Sequence, residues 1–131
     1  MAFAKAVNAG GSTDRWENAS GEVVLLNDID LTELTEWTPI GQGKATGSPS
    51  YNTLTNPFTG VFDGQGFTIK GIRWTFNVEN ETTHLHGLFG AIKDATIKNL
   101  KLGAAGDQIT LAGTSQNVVS AGALAGYAEG S

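Results

Sequence analysis

The sequence predicts an all-β fold, a right-handed parallel β-helix (a solenoid) with a short N-terminal capping helix. Three observations support this prediction. Glycine accounts for 18 of the 131 residues and charged residues for only 16%, a composition typical of turn-rich β structure. The hydrophobic content of 40% is sufficient for a folded core. A short motif also recurs along the chain, which indicates a repeat architecture.

The recurring motif joins a glycine-led strand to a Thr-Ile-Lys strand. Gly60-Val61-Phe62 matches Gly87-Leu88-Phe89 at an offset of 27 residues, and Thr68-Ile69-Lys70 matches Thr96-Ile97-Lys98 at an offset of 28. A third copy begins at Ala123-Leu124-Ala125-Gly126, which lies 36 residues after Gly87-Leu88-Phe89-Gly90. These spacings suit successive short strands separated by bends.

Each turn of such a repeat buries its apolar face against the turns before and after it. We therefore expect Phe62, Ile69, Phe89 and Ile97 to stack in register along a common axis. An antiparallel sandwich, which also has short strands separated by turns, is the alternative. The repetition of the motif favours the solenoid.

The elements are predicted to form one solenoid domain over residues 1–131. Residues 1–20 form an N-terminal cap and residues 21–131 form the turns. Two stretches have little hydrophobic periodicity and are predicted to be loop insertions, at about 41–57 and 75–84. Because the third copy of the motif stops before its Thr-Ile strand, we expect the chain to be a fragment of a longer repeat array.

At the N terminus, residues 3–9 precede two glycines and predict a short helix with a glycine stop. We expect Phe3 and Val7 of this helix to cover the first turn and to shield its open edge. The stretch 21–31 is rich in β-branched and apolar residues and predicts a strand that is apolar on both faces.

The motifs resemble those of a known family. The order of Leu-Leu-Asn-Asp-Ile-Asp-Leu (25–31), Trp-Thr-Pro-Ile-Gly (37–41), Phe-Thr-Gly-Val-Phe-Asp-Gly-Gln-Gly-Phe-Thr-Ile (58–69) and Gly-Leu-Phe-Gly (87–90) resembles bacterial, Bacteroidetes-type surface proteins with GLUG-type repeats. These are similar to pectate-lyase-like and adhesin β-helices. The resemblance implies a right-handed parallel β-helix with a helical cap, an extracellular location at the cell surface and usually no known reaction.

Composition and motifs also exclude several function classes. The net charge is -5 with only eight basic residues, so we expect no nucleic-acid partner. No apolar run is long enough to insert into a membrane. The chain has no cysteine, and no nucleophile elbow or catalytic residue is identified. We expect no enzyme activity, no cofactor and no metal.

The sequence therefore predicts a non-catalytic structural or adhesion module of an extracellular protein. The alternative is a carbohydrate-binding or polysaccharide-lyase-like β-helix domain. The expected partners are a host or dietary glycan or a surface protein. Self-association is also expected, because unpaired N–H and C=O groups at the open end of a solenoid can pair with another chain.

Aromatic side chains are the candidates for ligand binding, because flat apolar rings stack on sugar rings. Trp74 closes a predicted strand and, together with Tyr51 on the first loop insertion, would form a shallow glycan-binding patch. Trp37 is the third candidate, although its position before Pro39 also suits packing at the end of the coil.

Three carboxylates allow two interpretations. Asp28, Asp30 and Asp63 could be Ca²⁺ ligands, which must converge within about 2.3–2.6 Å of one ion. The other interpretation, which we favour, is that Asp28 and Asp63 shape bends by accepting backbone hydrogen bonds. A lyase would stack carboxylates on neighbouring turns, whereas Gly90 occupies the position that the repeat offset assigns to Asp63.

Two histidines and an asparagine complete the set of candidate polar residues. His84 and His86 are two residues apart and could share a metal, but a solvated loop is the favoured interpretation. Asn99 is expected inside a bend, where its amide would hydrogen-bond a neighbouring turn.

Overall fold

The structure is a computed structural model that describes residues 2–34, 36–44, 53–77, 85–112 and 120–131. The described chain is an all-β arrangement with one short α-helix, as predicted. Its sheets have two or three strands, and within the described ranges they form no closed barrel. Every pairing between strands is parallel except that of one hairpin.

The helix α1 spans Ala2–Asn8 and is followed by a short 3-10 helix at Asp14–Trp16. The strands in chain order are β1 (Val23–Val24), β2 (Ile29–Asp30), β3 (Gln42–Lys44), β4 (Thr53–Asn56), β5 (Val61–Asp63), β6 (Thr68–Lys70), β7 (Arg73–Asn77), β8 (Leu85–His86), β9 (Phe89–Lys93), β10 (Thr96–Lys98), β11 (Lys101–Leu102), β12 (Gln108–Ala112), β13 (Ser120–Ala121) and β14 (Ala125–Glu129).

Strand pairing divides the chain into three consecutive parts, which we call the first segment (23–58), the middle segment (61–93) and the last segment (96–129). Each strand of the middle segment, β5 to β9, pairs in parallel with its counterpart in the last segment, β10 to β14, in the same order. In the first segment, β1 and β2 pair with β5 and β6. The last segment therefore repeats the strand order of the middle segment, and the first segment shares its first two strand positions.

The register differs from the predicted one. Phe62 lies opposite Val23 and Ile97, and Ile69 lies opposite Ile29 in a different sheet. The predicted stack of Ile69 on Ile97, with offsets of 27 and 28 residues, is therefore wrong. The physical reason is that the glycine-led motif marks a strand after a bend, and such bends recur within one segment as well as between segments.

The longer predicted offset is confirmed. Phe89 lies opposite Ala125, 36 residues later, and Phe62 lies opposite Ile97, 35 residues later. A spacing of 35 to 36 residues thus relates the middle and last segments through these two pairs. The motif at Ala123-Leu124-Ala125-Gly126 therefore predicted the observed spacing from the motif at Gly87. The motif at Gly60 resembles the Gly87 motif more closely but gave the wrong spacing.

Helix α1 packs against aromatic rings at the junction of the first and middle segments. Its buried residues are Phe3, Ala4 and Val7. The Phe3 ring contacts Phe58 and Phe62, with ring centroids 6.0 and 6.2 Å apart. Gly10 follows the helix with a φ of +68° and ends it, because only glycine adopts this left-handed conformation without strain.

The stretch 21–31 is two short strands rather than one. The chain turns between β1 and β2, so Val23 is buried whereas Leu26 is 74% exposed. The expected burial on both faces does not hold here, because the bend carries Leu26 out of the sheet. Apolar periodicity alone does not reveal such a bend.

The first predicted loop insertion, at about 41–57, contains two strands. These strands, β3 and β4, pair antiparallel as a hairpin. Ile40 before it and Phe58 after it both bridge in parallel to β9, at Phe89 and Ile92. The hairpin is therefore inserted into one strand position of the first segment. In the second predicted insertion, β7 continues to Asn77, and residues 78–84 lie outside the described residues.

A hydrophobic core runs through the three segments and is rich in aromatic rings. Phe62 packs edge-on against Phe89 with centroids 5.6 Å apart, and Phe58 contacts both rings. Trp37, Ile40, Ile69, Trp74 and Leu88 are also buried in this cluster.

Candidate functional site

The predicted aromatic patch is not on the surface. Trp74 is fully buried, and Trp37 is 6% exposed. Their rings stack with centroids 4.9 Å apart and an interplanar angle of 14°. The Trp37 indole N–H also donates a hydrogen bond of 3.1 Å to the carbonyl oxygen of Leu88. The expectation that Trp74 and Trp37 present ring faces to a sugar is therefore wrong, and the packing role considered for Trp37 is the observed one.

The reason for this burial lies in the position of Trp37. The first segment has no strand paired with β7 among the described residues, and the Trp37 ring covers Trp74 from this side. The Trp37 side chain thus packs on β7 at the position where a paired strand of the first segment would otherwise lie. Tyr51, the remaining predicted binding residue, lies outside the described residues.

The favoured interpretation, that Asp28 and Asp63 shape bends, is confirmed for Asp63 but not for Asp28, whose hydrogen bond comes from a residue 40 positions away in sequence. Asp28 Oδ1 accepts the Thr68 N–H at 2.8 Å and so ties the first segment to the middle one. Asp63 Oδ1 accepts the Gln65 N–H at 2.8 Å and the Asn99 side-chain amide at 3.0 Å. The Asn99 amide, the Gln65 N–H and nearby Lys98 lower the pKa of Asp63 below its usual value.

Asn99 lies in a bend, as expected, but its side chain is exposed rather than inside the molecule. Its φ of +53° is a left-handed conformation that asparagine tolerates better than most residues. The bond from its amide to Asp63 joins the last segment to the middle one. The part of the prediction that placed this amide bond between neighbouring segments is confirmed.

Lys98 of the last segment pairs with Asp63 of the middle segment and with Glu22, the residue just before the first segment. The Lys98 Nζ lies 2.7 Å from Glu22 Oε1 and 4.0 Å from Asp63 Oδ2. The hydrogen bond between Lys98 and Glu22 raises the pKa of the lysine and lowers the pKa of the glutamate. Because the Lys98 side chain is 40% exposed, this cluster stabilises the fold only weakly.

His86 is buried rather than solvated. It is 2% exposed, and its ring lies against Phe76 with centroids 4.4 Å apart. The predicted solvated-loop position of His86 is therefore wrong, because β8 carries it into the molecule beside β7. His84, its predicted partner, lies outside the described residues.

The surface with the clearest capacity for binding is at the last segment. Among the described residues, β10, β11, β12, β13 and β14 each pair with one strand only, the counterpart in the middle segment. Their other edges carry backbone N–H and C=O groups that can pair with a further strand. All five edges lie on the side of the last segment that faces away from the middle segment.

Apolar side chains accompany these edges. Leu111 lies opposite Phe76, which is 5% exposed, yet Leu111 itself is 43% exposed. Leu124 precedes Ala125 as Leu88 precedes Phe89, but Leu124 is 37% exposed and Leu88 only 1%. Equivalent positions are thus buried in the middle segment and exposed in the last one.

We call this surface the open end, and define it as the free edges of β10 to β14 with the side chains of Leu102, Ile109, Leu111 and Leu124. A cavity of about 670 Å³ lies there, lined by three of these side chains, Leu102, Ile109 and Leu111, together with Ala121. The motif repeat could have located Leu124 in advance, because it aligns with Leu88. Nothing in the sequence aligns Leu111 with Phe76 until the register is known.

The opposite face of the molecule is covered in part. Phe3 of helix α1 packs on Phe62, and an isolated antiparallel bridge joins Glu17 to Val23 of β1. A cavity of about 340 Å³ remains there, and its lining includes Phe3, Trp16 and Leu26. Within the described ranges, no helix is both long and apolar enough to cross a membrane.

Comparison with known proteins adds no relative. No family model, no curated protein and no solved structure matches the chain.

Proposed function

We propose that the chain is part of a right-handed parallel β-helix that serves as a non-catalytic structural and adhesive module of a bacterial extracellular protein. Each segment is then one turn of the helix, rising by about 4.8 Å, which is the spacing of paired strands. The right-handed sense follows the general preference of parallel crossover connections. The extracellular and adhesive parts of the proposal rest on the resemblance of the repeat motifs.

The observation that carries the structural role is the one-to-one pairing of β5–β9 with β10–β14. In such a stack, each turn supplies the surface on which the next turn folds, so the molecule lengthens without any change in its cross-section. This property suits a module that extends or displays other parts of a protein.

A chain lengthened by one repeat tests the proposal. Glu129 lies opposite Lys93, so a residue placed after Ser131 takes the position that follows Ala95. We therefore expect a copy of residues 96–131, attached after Ser131, to fold in register as a fourth turn. Covering Leu111 and Leu124 alone should raise the free energy of unfolding by about 1–2 kcal/mol, and the dependence of that energy on urea concentration should increase.

The control is the same attachment with its 36 residues in scrambled order, which keeps composition and length but removes the register. Urea denaturation followed by circular dichroism compares the two chains with the original. If the repeated copy is digested by protease as readily as the scrambled one and leaves the stability unchanged, the proposed helix is wrong.

A further inference from the structure

We propose that a polar cleft beside the C-terminal end of α1 binds an uncharged saccharide unit. Two stretches of the chain line this cleft, one within residues 7–17 and the other at residues 55–60. The first stretch follows α1, and the second returns from the inserted hairpin to the middle segment. The cleft has a volume of about 380 Å³, within the range of about 300–1,000 Å³ that is typical of small-molecule sites. Such a site gives the adhesive role proposed above a class of ligand, and it rests on that role.

A carboxylate forms one side of the cleft. Glu17 is the charged residue among those that line it. Its Oε1 accepts the Thr13 hydroxyl at 2.6 Å, and its backbone bridges to Val23 of β1. Among the described residues, no lysine or arginine lies within ion-pair distance of this carboxylate. The carboxylate is therefore held in place while its charge remains available to the hydroxyl groups of a ligand.

Neutral hydrogen-bonding groups form the other side. The Asn56 amide donates to the Asn8 carbonyl oxygen at 2.7 Å, which fixes the direction of the Asn56 Oδ1. This oxygen lies 3.2 Å from the position that a Cβ atom would take at Gly10, so it faces a glycine of the lining. Two exposed threonines, Thr55 and Thr59, bring hydroxyl groups that both donate and accept. These groups can bond sugar hydroxyls in either sense.

The chemistry of the lining indicates the class of ligand. An anionic ligand, such as a uronate, would face the Glu17 carboxylate, and the lining holds no basic residue to offset the repulsion. A Ca²⁺ ion needs about six to eight oxygen ligands, whereas the lining offers a single carboxylate. A wholly apolar ligand would remove water from that carboxylate without replacing its hydrogen bonds. An uncharged sugar instead donates hydroxyls to the acceptors and can place its C–H groups against Pro57, which is half-buried in the lining.

Nuclear magnetic resonance titration of the nitrogen-15-labelled chain tests the proposal. Glucose, galactose and mannose are added separately, each in parallel with its own uronate. We expect at least one hexose to shift the amide signals of Gly10, Gly11 and Gly60, with a dissociation constant of about 1–10 mM. Its uronate differs only by the added carboxylate and should bind at least about tenfold more weakly.

Two substitutions with matched controls locate the site. Glu17→Gln keeps the size of the side chain but removes its charge, so hexose binding should weaken about tenfold and the preference over the uronate should disappear. Glu33→Gln, at an exposed glutamate outside the cleft, should change neither. Thr55→Val removes a hydroxyl at constant size and should weaken binding about threefold. Thr110→Val, at an exposed threonine of β12, should have no effect.

Several results would overturn the proposal. They are the absence of binding by all three hexoses, a uronate that binds as tightly as its hexose, and a hexose affinity that Glu17→Gln leaves unchanged. If methylammonium chloride shifts the same glycine signals at lower concentration than any hexose, the cleft is a cation site instead. The chain with the added repeat measures folding alone, so its success together with a failure of all three hexoses would leave the proposed helix standing and remove the saccharide site.

Discussion

Gly41 shows how one residue can decide the path of the chain. It lies between Ile40, which bridges to β9, and the hairpin that follows. Its φ is +79°, and a Cβ atom here would overlap the carbonyl oxygen of Ala91 and lie 2.9 Å from Phe58 N. The N–H of Phe58 donates to this same carbonyl oxygen at 3.0 Å. The chain leaves the sheet after Ile40 and rejoins it at Phe58, and Gly41 between them has no room for a side chain.

Gly41→Ala is therefore expected to destabilise the protein strongly. The left-handed backbone alone should cost about 1–2 kcal/mol, and disturbing the hydrogen bond between Phe58 and Ala91 should add about 1 kcal/mol. Gly66→Ala is the matched control, because Gly66 has a φ of +81° but nothing within 4 Å of an added Cβ. Urea denaturation of both variants separates the overlap from the backbone strain. Equal losses of stability would show that the close approach at Gly41 is not important.

Helix α1 illustrates the scale of a single element. A helix of seven residues is not stable by itself in water, so its contacts with the first segment must stabilise it. Asn8 provides polar contacts, since its side chain accepts the Gly41 N–H and donates to the Pro39 carbonyl oxygen. Phe3 provides the main apolar contact, against Phe58 and Phe62. Asn8 therefore joins the end of the helix to the point where the inserted hairpin begins.

Phe3→Asp should release the helix. The substitution removes a buried ring and places a charge against the core, so we expect a loss of about 3–5 kcal/mol in the free energy of unfolding. Ala2→Asp adds the same charge at an exposed position of the same helix and should change stability little. Thermal denaturation compares the two variants. A Phe3→Asp chain that remained monomeric with unchanged stability would remove the capping role of α1.

At the scale of the whole molecule, contacts between residues about 35 positions apart hold the segments together. Thr75 of β7 lies opposite Thr110 of β12, and Arg73 lies opposite Gln108. Such pairings are all parallel between segments, so a chain that folds correctly must bring distant strands together in one register.

Introduced disulfides report this register directly, because the chain has no cysteine of its own. Cysteines at Thr75 and Thr110 should oxidise to a disulfide, since paired strands lie about 4.8 Å apart. Cysteines at Arg73 and Gln108 should do so too, which only a parallel pairing allows. Non-reducing mass spectrometry of monomeric protein, after protease digestion, measures both.

The mismatched pair, with cysteines at Thr75 and Gln108, is the control. Its Cα atoms should be about 8 Å apart, beyond the reach of an unstrained disulfide. If it oxidised as readily as the Thr75 and Thr110 pair, or if only one of the two matched pairs did, the parallel register would be wrong.

The sequence by itself determined the all-β class, the short helix ended by Gly10 and the turn-forming role of Asp63. These features depend on neighbours in the chain: backbone preferences of glycine, alternation of apolar residues and short polar side chains beside bends. The 36-residue spacing was also present in the motif at Ala123. The motifs at offsets of 27 and 28 residues obscured it.

Only the tertiary structure decided which strands are partners, and with that which surfaces are free. Whether Trp74 binds a ligand or fills the core depends on Trp37 lying over it, and Trp37 is far away in sequence. Leu111 and Phe76 occupy equivalent positions, yet one is exposed and the other buried. Their exposures differ because the burial of a side chain depends on the residues that pack against it. A sequence repeat predicts which residue occupies a position, but it does not predict which residues pack there.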